Sequence, residues 1–444
     1  MASAVTGINS GSSGTGLDVG ATVDQIMYAE RAPERLMQSQ QQMLNAQASA
    51  LRDIQSRLTT LGNTVNSLKD VSASMGARIA SSSQSSILSA SADRTATIGK
   101  HVITVNSLAT TSSWYSDAVA DGVFTPGDLT IQVGTATPIT FTFDAGHSTL
   151  AAAAEFINTK QAGVMANVIT DATGLHLALV SATSGAAGDI KLLQAPAEIA
   201  MHRGSTGANA DVVVDGVPVQ SSTNSLTGVI PGVTFELSSA SPGTQVTVSV
   251  APDAARARQA ISDFVTSYNS VVGNINAQFT YNQQTGSAGP LAGNSSIRGV
   301  QATLLPAMSQ VVKGNGAITS LASLGIDMKN DGTLQMNSTE LDAALSQHFT
   351  EVQSFFQSRE PEGFACRLSA QMAVINDSID GPLAVDITGL GATSRMISDQ
   401  IDDLESRLDM RRKTLLDQYS RIDTMLRQFP LIQAQLTAQL ESLK

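Results

Sequence analysis

The residues best equipped for chemistry are few and scattered. Five histidines stand at His101, His147, His176, His202 and His348. None belongs to a His-Glu-x-x-His pair or another short ligand set, so zinc chemistry has no sequence frame. Asp327, Asp331 and Gly332 fall like the start of a calcium loop. Lys329 stands at its third place and Ser338 at its twelfth, so the bidentate acid is missing and the stretch reads as a turn. Gly14, Gly16 and Gly20 imitate a dinucleotide fingerprint, but no strand precedes them and the spacing is wrong, which leaves a flexible linker. There is no Gly-x-Ser-x-Gly elbow and no Walker A loop. Cys366 is the single cysteine, so no intramolecular disulfide can form. The expectation is a chain without catalytic centre, metal or cofactor.

Composition narrows the partners. A chain of 444 residues has room for two to four domains. Hydrophobic residues make up 42% but aromatics only 4%, so the cores must be built from Ala, Val, Leu and Ile. The formal net charge of -12 argues against a non-specific nucleic-acid binder, which needs a basic face. The one dense basic cluster, Arg411-Arg412-Lys413, reads as the solvated flank of a helix, with Arg411 at a position that could loosen or fix its register. No apolar run approaches a membrane span, so no membrane insertion is expected. The first twenty residues lack the basic and apolar regions of a secretory signal peptide, which by itself suggests the cytoplasm unless a dedicated export machine reads something else.

The strongest pattern lies in two long heptad stretches. Near the N-terminus, Leu44, Leu51, Ile54, Leu58, Leu61, Val65 and Leu68 recur at steps of seven, four and three. Near the C-terminus, Ile397, Ile401, Leu404, Leu408, Leu415, Ile422, Met425, Phe429, Ile432 and Leu436 do the same. A repeat of about 3.5 residues makes a narrow seam that another helix must cover. Two such ends can pair as a stalk that holds everything between them as a head. Part of each seam is expected to need an outside partner.

The remaining elements follow from local signals. Ala21 to Arg31 looks helical, Pro33 opens or kinks the next helix, and the heptad helix should reach about Ile79 before a serine linker at Ser81 to Ser86. Thr97 to Leu108 reads as a strand. Leu129 to Val133, Ile139 to Phe143, a helix at Thr149 to Thr159, Val164 to Thr170 and Leu175 to Val180 make a compact ββαββ unit. Asp215-Gly216 between valine runs is a hairpin signal, and that second β unit should pair with the Thr97 strand around the first. From Pro252 helices take over, at Ala254 to Phe279, Ser295 to Val312, Thr339 to Phe356 and Phe364 to Ile379. Asp331-Gly332 should close a small hairpin, and Gly381 to Gly391 should link into the last heptad helix.

The predicted fold class is α+β multidomain: terminal heptad helices forming a stalk or leg, a helical domain, and a head of two nested β-rich domains. The expected domains are a flexible leg with an export-related segment at 1–43 and a coiled-coil helix at 44–95 that joins a helical domain at 252–395. A β-rich domain at 96–111 and 203–251 surrounds an inserted α+β domain at 112–202, and the C-terminal coiled-coil leg is 396–444.

Several stretches carry a family resemblance. Thr15-Gly16-Leu17-Asp18-Val19, followed by Glu30-Arg31-Ala32-Pro33, resembles the amino-terminal signature of the flagellar filament cap family, also called hook-associated protein 2, although that family more often has Ser where Thr15 stands. VITVNSLAT from Val102, the segment Leu129 to Ser184, DVVVDGVPV with SLTGVIPGVTFEL, and LASLGIDMKNDGTLQMNSTEL resemble its further segments in order and spacing. The resemblance implies a homo-oligomer at the filament tip, by analogy a pentamer, that promotes folding and insertion of exported flagellin and prevents its leakage. It implies passage through the flagellar export apparatus, a location at the extracellular tip, and three other partners: flagellin, the hook–filament junction proteins and a cytoplasmic export chaperone on the last helix. A hook–filament junction protein and a stalked surface adhesin are the alternatives.

Overall fold

The computed structural model describes residues 17–282, 286–358 and 363–441. The glycines at Gly14 and Gly16 therefore lie outside the described residues, as do the first sixteen residues of the stretch 1–43 read as a flexible leg; from Val19 on that stretch is helical rather than flexible. Among the described residues the helices are α1 (Val19–Glu30), α2 (Ala32–Lys69), α3 (Leu150–Thr159), α4 (Ala254–Phe279), α5 (Ser295–Met308), α6 (Ser338–Gln347), α7 (Phe349–Gln357), α8 (Phe364–Ile375) and α9 (Pro382–Glu441). Two compact units divide the chain: one comprises residues up to Lys69, Ile261–Ala344 and Thr350 onward, the other Asp70–Ala260 with Leu345–Phe349.

The first unit is helical. Asp18 caps α1 by accepting from the backbone N–H of Ala21 at 3.0 Å, which satisfies one of the donors a helix start leaves open. Pro33 sits in the first turn of α2, where its missing N–H removes no helical bond. The face of α2 from Leu51 to Leu68 packs on α8 and α9. A large share of the chain's few aromatics gathers in this unit: Phe355 stacks on Phe364 at 5.4 Å, and Phe264 meets Phe364 edge-on at 5.8 Å. Buried Tyr268 donates its hydroxyl to the Gly332 carbonyl at 3.1 Å, and burial pushes that hydroxyl up to about 12. Gly332 belongs to the small hairpin that joins Ile326–Met328 to Leu334–Met336, as the Asp331-Gly332 signal foretold.

The second unit is the β-rich head. Its strands are β1 (Arg78–Ser82), β2 (Leu88–Ala92), β3 (Gly99–Ser107), β4 (Thr111–Ser116), β5 (Asp128–Val133), β6 (Ile139–Thr142), β7 (Val164–Thr170), β8 (Leu175–Ser184), β9 (Ile190–Gln194), β10 (Met201–Ser205), β11 (Ala210–Val214), β12 (Val217–Ser221), β13 (Ser225–Ile230), β14 (Val233–Leu237) and β15 (Val246–Pro252). An antiparallel sheet in the order β1-β15-β3-β11-β12 and a sheet β13-β14-β2 enclose one core around Ile103, Val105, Val212, Phe235 and Val248. The sheets β10-β4-β8-β7 and β6-β5-β9, with α3, enclose another around Phe141, Leu150, Ile157 and Leu177. The strands of this second core lie in sequence between β3 and β11, which pair with each other in the first. The turn from β11 to β12 has positive φ at both Asp215 (49°) and Gly216 (86°), the geometry that the Asp-Gly pair favours. Pro218 lies on β12, an edge strand, where a missing donor is tolerated.

Four sequence expectations need correction. The α2 helix ends at Lys69, not near Ile79, because Asp70 closes a turn by accepting from the Ser72 N–H at 2.8 Å. Ser81 and Ser82 belong to β1 rather than to a linker. This edge strand of small residues is ordered by its register with β15, such as Ala80 against Val250. Thr339 to Phe356 is two helices, α6 and α7, separated at His348. Gly381 to Gly391 is no linker: α9 starts at Pro382 and runs through Gly389 and Gly391, anchored by the buried Leu383 and Ala384. The boundary drawn at 395/396 therefore falls inside one helix. Strands β2, β4, β9, β10 and β13 carry weaker signals, because serines, a tryptophan, a glycine and charged residues blur their alternation.

Candidate assembly surface

The two heptad seams meet different fates. On α2, Leu51, Ile54, Leu58, Leu61, Val65 and Leu68 are each 0% exposed, and Leu44 is half-buried. From Leu51 to Leu68 the run is covered within its own unit, so this part needs no outside partner, contrary to the expectation for this seam. The reason is supply: α8 and α9 both lie against α2. Polar bonds tie the same pair of helices together. Gln41 Nε2 donates to the Ser394 carbonyl at 3.3 Å, and Ser394 Oγ donates to Asn45 Oδ1 at 3.0 Å.

On α9 the seam divides. Ile397 and Ile401 are buried, Leu404 is half-buried, and Leu408 and Leu415 are buried. The last two are covered by α1, where Val23 and Met27 form a small core with them, edged by Val19, Ile26, Leu416 and Tyr419. Val23 and Met27 were not singled out from sequence. Their spacing of four within a helical stretch was the available signal. Charges align α1 on α9: Arg412 Nη2 lies 2.9 Å from Asp24 Oδ1, and Arg411 Nε lies 3.3 Å from Glu30 Oε1. The Leu17 N–H donates to Asp423 Oδ1 at 2.9 Å. Two members of the basic cluster thus pair with acidic residues of α1. Exposed pairs of this kind add little stability, about 0–1 kcal/mol each, so the apolar core supplies the hold.

Beyond Tyr419 the cover ends. Ile422 is 44% exposed, Met425 59%, Phe429 65%, Ile432 53% and Leu436 57%. Leu426, Leu431 and Leu440 add to the same exposed segment. From Ile422 to Leu440 the helix presents an apolar surface about 27 Å long. Pro430 lies inside it, where a proline costs a helix about 3 kcal/mol. A solvent-exposed apolar helix that also contains a proline has little of its own to hold it, and gains most from a partner.

The histidines do not gather. His101 lies 2.7 Å from Asp215, His147 2.8 Å from Asp144, His176 3.3 Å from Asp171 and His202 2.8 Å from Asp117, each a separate pair. The Thr173 hydroxyl and N–H hold Asp171 down to about 2, and a hydrogen bond to the Ser116 carbonyl, with Asp171 beside it, raises His176. Among the described residues no group of three or more His, Cys, Asp or Glu could hold a metal ion. Among them too, no helix is long and apolar enough to cross a membrane.

A β-rich unit, a helical unit built on paired terminal helices and, among the described residues, a long exposed apolar run on the last helix are features of a structural assembly protein. The family model described as flagellar hook-associated protein 2 N-terminus matches residues 15–112, and the one described as flagellar hook-associated protein 2 C-terminus matches residues 207–430. The B-type flagellar hook-associated protein 2 of Pseudomonas aeruginosa is 31% identical over 430 residues, covering 89% of this chain and 88% of that protein. The flagellar hook-associated protein 2 of Escherichia coli K12 is 25% identical, covering 97% of both chains. A crystal structure of the D1-D2-D3 domains of the flagellar cap protein FliD from Escherichia coli shares the fold, with a TM-score of 0.58 at 24% identity over 77% of this chain and 99% of that one. The chain belongs to the flagellar hook-associated protein 2 family. Neither family model reaches residues 113–206, which hold most of the second head core.

Proposed function

We propose that this protein is the cap of the bacterial flagellar filament: an oligomer at the distal end that promotes folding and insertion of exported flagellin and stops its loss to the medium. Family membership supports the cap reading over a junction protein or an adhesin. The observation that carries the mechanism is the division of the α9 seam. One heptad position is buried at Leu408 and Leu415 and bare at Ile422, Phe429 and Leu436. The covered half joins the terminal helices of one subunit, and the bare half docks on neighbours, which are other copies of the cap and the subunits at the filament end. The ring is a pentamer by family analogy, first seated on the hook–filament junction proteins. Its work is mechanical, by shape and surface burial, without a catalytic step. Before export the same bare ridge is the site for a cytoplasmic chaperone, since apolar surface of this extent invites aggregation. The protein leaves through the flagellar export apparatus.

Deleting the chain from its own cells tests the function. Flagellin should accumulate in the medium while filaments are short or missing, and supplying the protein from outside should restore growth. Normal filaments in the deletion would overturn the reading.

A further inference from the structure

The head unit contains a cavity of about 530 Å³ lined by three arginines, Arg78, Arg94 and Arg256, with Ser72, Ala73 and Asp93. Its volume is in the range of small-ligand sites, about 300–1,000 Å³. The two carboxylates at hand, Asp70 and Asp93, attract Arg94, but they are hydrogen-bonded within their own turns. Asp93 Oδ1 accepts from the Thr95 N–H at 2.7 Å and from its hydroxyl at 2.6 Å. Asp70 Oδ1 accepts from the Ser72 N–H at 2.8 Å and from its hydroxyl at 2.7 Å.

The arginines, by contrast, have donors to spare. Among the described residues, the guanidinium groups of Arg94 and Arg256 make no hydrogen bond or salt bridge; only the backbone N–H of Arg256 is engaged, by Asp253. Arg78 Nη1 reaches two backbone carbonyls, Gly76 and Ala77, each at a long 3.3 Å. Its Nε is buried without an acceptor. Three permanent cations face only two carboxylates here, which leaves an excess positive charge, and a buried donor left empty is costly. The chain carries a formal charge of -12, so a basic hollow runs against its general character. An oxyanion resolves both costs, because guanidinium forks match the paired oxygens of phosphate and carboxylate.

We propose that this cavity binds a small multivalent oxyanion, a phosphate ester or a polycarboxylate, through Arg78, Arg94 and Arg256. The test uses the full chain with pyrophosphate and citrate as separate probes at constant ionic strength, followed by thermal unfolding and, for pyrophosphate, phosphorus NMR. Arg94 and Arg256 are exposed, so an Arg94→Gln, Arg256→Gln variant should keep the fold. The expected result is saturable binding of at least one probe at millimolar concentration, a matching rise in Tm, and at least a tenfold weaker affinity in the variant. An Arg94→Lys, Arg256→Lys variant keeps the charge but loses the forks and should fall between the two. Saturation by pyrophosphate alone identifies a phosphate ligand, and saturation by citrate alone a carboxylate one. If neither probe saturates, or the glutamine variant binds as tightly as the wild type, the site does not exist.

Discussion

Replacing Ile422 and Phe429 together by Ala probes docking without touching the fold. The two residues are one heptad apart, about 10 Å along the helix. They are 44% and 65% exposed in the free chain, so their loss should change its stability by no more than about 0.5 kcal/mol. Alanine is also the better helix former, so the variant does not fail by unwinding. Docking should bury what is now bare. Full burial of such a side chain is worth about 1.5–3 kcal/mol, and scaling by the exposed fractions gives roughly 1.6–3.3 kcal/mol for the pair. That corresponds to about 15- to 200-fold weaker attachment. Leu415→Ala is the contrast. At 5% exposure it belongs to the core under α1, and losing it should cost about 2–5 kcal/mol of local packing. It should loosen α1 in the purified chain, which the ridge variant leaves unchanged. The assay is complementation of cap-deleted cells, scored by filament length and flagellin in the medium. Export of each variant must be verified first, because the chaperone is proposed to use the same helix. If the Ile422→Ala, Phe429→Ala protein is exported at the wild-type level and filaments reach normal length with no leakage, the ridge is not the docking surface.

Hydrogen exchange should separate the two parts of the last helix. Amides after Met425 should exchange fast in the isolated chain and slow on assembly, while those of α4 stay slow in both states; equal protection along α9 in the free chain would contradict partner-dependent ordering. The head should show a pH signature from Asp171 and His176. The folded pKa of His176 is raised from 6.5, so its contribution is complete below that value and is lost as pH rises through the folded midpoint. Asp171 is lowered from 3.8 to about 2, so its contribution is complete above 3.8 and fades as pH falls through about 2. The stability advantage of wild type over Asp171→Asn should therefore be larger near about pH 5 than near about pH 8, measured by denaturant unfolding, and a flat difference would refute the pairing.

Periodicity alone revealed the two heptad seams, the Asp-Gly hairpin at Asp215 and the ββαββ core, because a buried face repeats at the period of its own backbone and turns demand particular residues. It could not tell which seam is covered. Leu58 and Phe429 look alike as apolar heptad positions, yet one is 0% and the other 65% exposed. The difference is made by residues far away in sequence, α8 and α9 beside α2, and Val23 and Met27 over Leu408 and Leu415. The strand β1 is a related case: Ser81 and Ser82 carry no strand signal, and only pairing with Ser249 and Val248 of β15 makes them one. Local sequence determined which faces are apolar and where the chain turns. Tertiary structure decided which apolar face remains bare, because cover is a property of what packs against a helix and not of the helix itself.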